Sequence, residues 1–270
     1  MISFTPWQLT FPALLFIHIK IKIMTRLKFP GLLLCAAILF FLTSCGGNES
    51  KEQTNTDSTT AESNTNTVVQ EVNTIITTPE NMMVVTHKVA DFEKFLASYD
   101  AHDSLRLANG LHSYVIGRGV DDPNLVFVAV KVDDMAKAKA FAKDPSLKKA
   151  MQKGGVTGAP TIAFNTSTWQ DTAMLAPGTL RSRTTFTVKD WDVWVKNFME
   201  AKQERMDNGI ADRVIGHDAD DNKKVSLVTA VLDTTKAFAY YKSDALKKRR
   251  EAGGVIGEPK RFLFQIVKRY

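Results

Sequence analysis

The sequence is poor in cysteine, and this scarcity limits the chemistry open to the protein. Its 270 residues include two cysteines, Cys35 and Cys45, so a disulfide framework is excluded. Apolar runs of about 20 residues, which a helix needs to cross a membrane, are also missing, and this excludes a multi-span membrane protein. The sequence further lacks a Ser-His-Asp pattern, a dinucleotide-binding fingerprint and a metalloprotease motif.

Basic residues are in small excess, but they do not form a concentrated stripe. The formal net charge is +6. Four basic residues and no acids lie in residues 1–44, so the rest of the chain carries a net charge of only +2. Binding to a phosphate backbone depends on a clustered basic surface. We therefore expect no nucleic-acid partner.

The amino-terminal region has the order of features found in a bacterial lipoprotein signal. Arg26 and Lys28 precede an unbroken apolar run from Leu32 to Leu42, which leads into Thr43-Ser44-Cys45. A run of this length is typical of a signal peptide, and its end resembles the lipobox at which the cysteine receives a diacylglycerol. An ordinary cleaved signal and an amino-terminal membrane anchor are the alternatives.

Lipidation would fix both the location and the chemistry of the mature chain. We expect residues 1–44 to be removed, with Met24 as the true initiator, and Cys45 to be acylated. Several acyl chains hold a protein durably on a membrane, so the expected location is the cell envelope. Gly46 stands where an aspartate would retain a lipoprotein at the inner membrane, which favours the outer membrane. No free thiol then remains for catalysis, zinc binding or a disulfide.

Residues 45–80 differ in composition from the rest of the chain. They are rich in Ser, Thr, Asn and Glu and have almost no apolar residues before Val68. Such a segment buries too little apolar surface to offset the entropy lost on ordering. It is therefore predicted to be a flexible tether.

The remaining chain is an internal repeat with a shift of 99 residues. Residues 86–160 align with 185–259 without a gap, and about a third of the aligned residues are identical. An ungapped match of this length indicates a duplicated domain. We expect a first repeat at 81–168, a connector at 169–182 and a second repeat at 183–270.

Each repeat has the pattern βαββαβ, the ferredoxin-like order. Alternating β-branched residues predict strands, and apolar stripes at i, i+3, i+4 and i+7 predict helices. The predicted strands are 83–89, 111–118, 125–132 and 160–168, and in the second repeat 183–189, 210–217, 224–232 and 259–268. The predicted helices are 91–108 and 134–153, and in the second repeat 190–207 and 233–252, with a break at Asp144-Pro145.

The strands are apolar in both phases, so both sheet faces need cover. We expect an α+β fold in which the two ferredoxin-like repeats form an intramolecular pseudo-dimeric α/β barrel, and a chain that is a monomer.

The sequence resembles the dimeric α/β-barrel superfamily, which includes the antibiotic-biosynthesis-monooxygenase-like proteins. The resemblance is carried by Tyr99-Asp100-Ala101-His102, Asp121-Asp122-Pro123-Asn124 and Leu147-Lys148-Lys149. It implies the fold more than an activity, because the superfamily includes monooxygenases, haem-handling enzymes and members of no known activity.

Five side chains are candidates for binding a ligand: His87, His102, Arg106, Tyr114 and Arg213. His102 and Arg106 are four residues apart, on one face of the first helix. They could hold a substrate or an anion, or they could be polar groups at a helix end. The second repeat keeps the arginine as Arg205 but has Ala201 for the histidine, which favours a structural arginine.

The other three candidates lie on strands, and we expect them to line the barrel. The remaining mature histidines, His112 and His217, have no histidine counterparts in the other repeat. A symmetric metal site is therefore excluded, and the sequence predicts no cofactor and no catalytic set.

Two functions remain open at the level of the sequence. The first is a lipid-anchored envelope protein whose tandem barrel binds a small apolar or aromatic ligand or acts as a non-catalytic interaction module. The alternative is a monooxygenase-like or haem-handling enzyme with a single asymmetric site that involves His87, His102 or Tyr114. The sequence leaves the choice between a binding protein and an enzyme undecided.

Overall fold

The computed structural model describes residues 73–270. The signal sequence, Met24, Cys45 and most of the predicted tether lie outside the described residues. Within the described part, no helix is both long enough and apolar enough to span a bilayer.

Nine strands and eight helices make up the described chain. The strands are β1 (Ile75–Ile76), β2 (Glu80–Val89), β3 (Leu111–Gly119), β4 (Leu125–Val132), β5 (Val156–Asp171), β6 (Leu180–Val188), β7 (Ile210–Asp218), β8 (Lys224–Val231) and β9 (Val255–Arg269). The helices are α1 (Phe92–Ala101), α2 (Asp103–Ala108), α3 (Met135–Phe141), α4 (Pro145–Lys153), α5 (Trp191–Glu200), α6 (Lys202–Asp207), α7 (Thr234–Tyr241) and α8 (Asp244–Ala252).

The strands form one antiparallel sheet that closes on itself. The order is β1-β5-β2-β4-β3-β9-β6-β8-β7, and β7 pairs back onto β5. Each repeat therefore has its fourth strand beside its first, followed by the third and the second, which is the ferredoxin-like order. The β3–β9 and β5–β7 pairings join the repeats into an eight-stranded barrel. The predicted α+β fold of two βαββαβ units in a pseudo-dimeric barrel is confirmed.

Side chains alternate between the barrel interior and the helix layer, as they must along a pleated strand. On β2, Met83 and Val85 pack beneath the helices of the first repeat. Met82 and Val84 point into the barrel. Both faces of the strand are thereby buried, which explains why both of its phases are apolar.

Several element boundaries differ from the sequence prediction. The predicted helix 91–108 is two helices, because the chain turns at His102 between α1 and α2. The strand predicted at 160–168 extends to Asp171, since its end pairs with β1 through Ile75. The last residues of the predicted tether are therefore strand, and the link between the repeats is confined to residues 172–179.

Two glycines lie where the repeats meet. Gly117 on β3 pairs with β9, and its counterpart Gly216 on β7 pairs with β5. A Cβ on Gly216 would lie 3.0 Å from the Cα of Ser167 and closer still to the Thr166 carbonyl oxygen. A side chain at this position would therefore push the closing strands apart.

Candidate functional site

The five candidate residues separate into two cavities on opposite faces of the sheet. His87, His102 and Arg106 line a cavity of about 70 Å³ between the first-repeat sheet and its helices. Tyr114 and Arg213 line a cavity of about 90 Å³ inside the barrel. Because strand residues alternate, the same sheet supplies walls to both spaces.

The prediction that His87 lines the barrel is wrong. His87 shares its face of β2 with Met83 and Val85, so its ring lies under the helices. It is 4% exposed, and its ring meets that of Phe95 edge to face at 5.0 Å. Neither ring nitrogen has a hydrogen-bond partner among the described residues. Burial lowers the pKa of His87 from 6.5 to about 4, so the imidazole is neutral at pH 7.

Arg106 is fully engaged in holding α2 against β3. Its guanidinium donates to the Tyr99 carbonyl at 2.6 Å, to the Ser113 hydroxyl at 3.1 Å and to the Asp103 carboxylate at 2.9 Å. It also lies 3.6 Å from the centre of the Tyr99 ring. The guanidinium therefore has the environment of a structural arginine, and Arg205 has a parallel one in the second repeat.

His102 sits at the junction of α1 and α2. Its Nδ1 donates to the Ser98 carbonyl at 2.6 Å, one turn earlier in the chain. The side chain is half-buried at the edge of the cavity that holds His87. This hydrogen bond fixes the ring at the helix end.

Arg213 is a buried cation at one end of the barrel interior. Its guanidinium forms an ion pair with Asp171 at 2.9 Å and donates to the carbonyl of Ala173. Burial lowers the pKa of Arg213, with the Asp171 carboxylate opposing that effect and Arg269 adding to it. Tyr114, its counterpart in the first repeat, lines the same cavity. Both residues therefore lie where the sequence places them, inside the barrel.

Most of the polar residues that line this cavity were not predicted from the sequence. The residues missed include three further arginines and two buried neutral side chains: Arg181, Arg183, Arg269, Asn165 and Ser167. A signal was available just upstream of the aligned residues, where the same shift of 99 places Arg181 and Arg183 opposite Met82 and Val84 of the first repeat. Two arginines at i and i+2 on a strand share one face.

A metal centre is not evident in either cavity. Within residues 73–270, no group of three or more His, Cys, Asp or Glu side chains is placed to hold a metal ion. The second repeat has a cavity of about 100 Å³ under its own helices, in which Phe186 replaces His87. The two repeats are thus built alike but differ in their polar groups.

The sequence matches no protein-family model and no curated protein. Several solved structures are similar in fold. An anthrone oxidase-like protein is 14% identical, with 73% of this chain and 95% of that chain covered and a TM-score of 0.49. A proposed monooxygenase from Lactobacillus acidophilus is 9% identical, with 70% and 93% covered and a TM-score of 0.45. A heme-binding protein from Thermus thermophilus is 12% identical, with 72% and 93% covered and a TM-score of 0.42. At these identities and TM-scores, the likeness says nothing of what this chain does.

Proposed function

We propose that this protein is a lipid-anchored envelope protein that binds a small, largely apolar ligand under the helices of its first repeat. The observation that carries the proposal is the unpartnered His87 ring in an apolar cavity. A buried polar group without a partner costs about 1–3 kcal/mol. A ligand that supplies the missing hydrogen bond would recover that cost.

The chemistry of the cavity limits the kind of ligand. A neutral imidazole has one N–H donor and one acceptor nitrogen, so a hydroxyl group, which can serve either, is a suitable partner. Met83, Val85 and Phe95 supply an apolar surround. An engineered cavity of roughly 150 Å³ holds benzene, so a cavity of 70 Å³ accommodates roughly three heavy atoms on that scale. The ligand is then a small molecule, or the end group of a longer one.

The geometry favours binding over catalysis at this site. A general base works best when its pKa is near the working pH, whereas the pKa of His87 is lowered to about 4. The ring contacts the apolar Phe95, and no carboxylate of the described chain is hydrogen-bonded to it to orient it. The cavity of about 70 Å³ is also too small for a haem in this arrangement, since a cavity of roughly 150 Å³ is needed to hold benzene.

The envelope location rests on the sequence pattern that ends at Cys45. A lipid anchor would place the barrel at a membrane surface, where small apolar molecules are enriched. The barrel itself has no helix suited to crossing the bilayer within residues 73–270. The two halves of the proposal are independent, and each has its own test.

Native mass spectrometry of the full chain, extracted from membranes in detergent, tests the ligand. We expect an added small mass on the wild-type chain and its loss in His87→Leu, which keeps the bulk but removes both nitrogens. Phe186→Leu, at the same position of the second repeat, is the matched control and should keep the adduct. A bare wild-type chain, or an adduct that is indifferent to His87→Leu, would contradict the proposed site.

A further inference from the structure

We propose that the barrel interior is a second, separate binding site, which takes a small carboxylate with a short apolar chain. This site faces the opposite side of the sheet from His87 and shares none of its lining residues. An eight-stranded barrel is just wide enough to be filled by side chains or to hold one small ligand. Here the interior contains a cavity of about 90 Å³.

The charges around the cavity are unbalanced. Four arginines line it, namely Arg181, Arg183, Arg213 and Arg269. Asp171 is the single carboxylate among the lining residues that the structure describes. That carboxylate is already occupied, because it pairs with Arg213 and accepts hydrogen bonds from the Thr74 hydroxyl and the Ala173 amide. An anion in the space between the remaining guanidinium groups would therefore balance their positive charge.

Arg181 is the strongest single sign of a missing partner. It is 5% exposed, yet within residues 73–270 it makes no ion pair and its Nε has no hydrogen-bond acceptor. Burial and the nearby charges of Arg213 and Arg269 lower its pKa to about 10. Removing a charge from water without pairing it is costly. The fold does not demand this arginine, since Met82 occupies the same place in the first repeat.

Four buried polar atoms that have no hydrogen-bond partner within residues 73–270 line this one cavity. They are Asn165 Nδ2, Ser167 Oγ, Arg181 Nε and Arg213 Nε. The three nitrogens can only donate, and the hydroxyl can donate as well. An anion that offers several acceptor oxygens satisfies such a set, and guanidinium groups match a carboxylate in a bidentate geometry.

The rest of the lining is largely apolar. It includes residues of the first repeat and of β9, namely Met82, Val84, Val115, Phe127, Phe264 and Ile266. The rings of Phe127 and Phe264 pack with their centres 4.8 Å apart. A fully polar anion such as phosphate would leave these apolar side chains without a partner. A carboxylate with a short carbon chain offers oxygens to the cationic groups and carbon to the apolar ones.

The size of the barrel cavity and the groove that leads to it are both suited to a small molecule. On the scale of a cavity of roughly 150 Å³ for benzene, a volume of 90 Å³ corresponds to roughly four heavy atoms, about one fewer than propionate has. Arg181, Ile266 and Arg269 also line an adjoining groove of about 190 Å³ beneath residues 172–179. This groove gives the ligand a way in at the end of the barrel where β5 stops and β6 begins.

Calorimetric titration of the full chain in detergent with sodium propionate tests the site. Propionate should bind, while 1-propanol, which has a similar shape and no charge, should not. Arg181→Met copies the first repeat and should raise the dissociation constant at least tenfold. Arg261→Met is the matched control. Arg261 is also partly desolvated, but it lies on the outer face of β9 against Tyr241. The Arg261→Met variant should bind propionate with the wild-type affinity.

Thermal unfolding in the absence of ligand distinguishes a ligand-binding role of Arg181 from a purely structural one. Arg181→Met should raise the unfolding midpoint, because it removes an unpaired buried charge, whereas loss of a structural contact would lower it. Asn165→Leu offers a second variant that should also weaken propionate binding. Equal propionate affinity in wild type and Arg181→Met, no propionate binding at all, or binding of inorganic phosphate in preference to propionate would each overturn the proposal.

Discussion

Arg205 and Asp212 form a buried ion pair through two hydrogen bonds of 2.8 and 2.6 Å. The equivalent pair in the first repeat is Arg106 and Ser113, where one hydrogen bond of 3.1 Å joins the guanidinium to a hydroxyl. The same contact between a helix and the second strand is thus made once with a charge pair and once without. The duplication has kept the position of the arginine and changed its partner.

This difference predicts unequal costs for removing the two partners. Asp212→Asn should destabilise the fold by about 3–5 kcal/mol, because it leaves Arg205 buried without a counter-charge. Ser113→Ala should cost about 1 kcal/mol, since Arg106 keeps its carboxylate and carbonyl partners. Urea unfolding of both variants at pH 7 measures the two effects. Equal losses in the free energy of unfolding would show that the charge of Asp212 adds no more stability than the Ser113 hydrogen bond does.

The buried His87 predicts a specific dependence of stability on pH. Its pKa is about 4 in the folded chain against 6.5 for an ordinary histidine. Above pH 6.5 both states are neutral, so His87 does not affect the pH dependence. Between pH 6.5 and 4 only the unfolded state takes up the proton, and stability falls by about 3 kcal/mol in total. Below pH 4 both states are protonated and this contribution changes no further.

The variant His87→Phe, which copies Phe186, isolates this effect. Carboxylates contribute equally to wild type and variant, so they cancel in the difference between the two. Urea unfolding at pH 7, 6, 5 and 4 should show the wild type losing stability relative to the variant across that window. Parallel stability curves would show that His87 keeps an ordinary pKa.

Adding a side chain at Gly117 or Gly216, where the two repeats meet, should weaken the closure of the barrel. Gly216→Ala brings a Cβ against the backbone of Thr166 and Ser167, which cannot move without parting β5 from β7. Gly117→Ala instead meets mainly a side chain, the Phe264 ring, and the nearest backbone atom, the Gln265 carbonyl oxygen, is 3.2 Å away. Overpacking costs about 1–3 kcal/mol, and we expect Gly216→Ala at the upper end and Gly117→Ala at the lower. Differential scanning calorimetry gives the ranking, and the reverse order would refute it.

The amino-terminal pattern predicts the effect of removing the lipidated thiol. Cys45→Ser should abolish the incorporation of a labelled fatty acid into the chain, because no acyl chain can be attached. Cys35→Ser, in the apolar run, is the control and should leave the labelling unchanged. Metabolic labelling of both variants with a radioactive fatty acid provides the measurement. A wild-type chain that takes up no label would favour an ordinary cleaved signal or an uncleaved anchor.

Local patterns in the sequence determined the repeat and its elements. The repeat was found by comparing the sequence with itself at a shift of 99 residues. The βαββαβ order depends on residues close to one another in the chain, as do the N-caps of α1 and α5, where Asp91 and Asp190 accept hydrogen bonds from amides three residues later. The break at Asp144-Pro145 is likewise local, since proline suits the first turn of a helix. Apolar residues in both strand phases were sufficient to predict that each sheet is covered on both faces.

Only the tertiary structure decided which side of the sheet each residue faces. Alternation along a strand shows which side chains share a face, but not which face is the interior when both are apolar. His87 was therefore assigned to the wrong side. The cationic wall was missed for a related reason. Arg181, Arg213 and Arg269 lie on β6, β7 and β9, which are brought together by the strand pairing of the second repeat's sheet and are then enclosed by the barrel. Long-range strand pairing fixes that convergence, and no local pattern in the sequence encodes it.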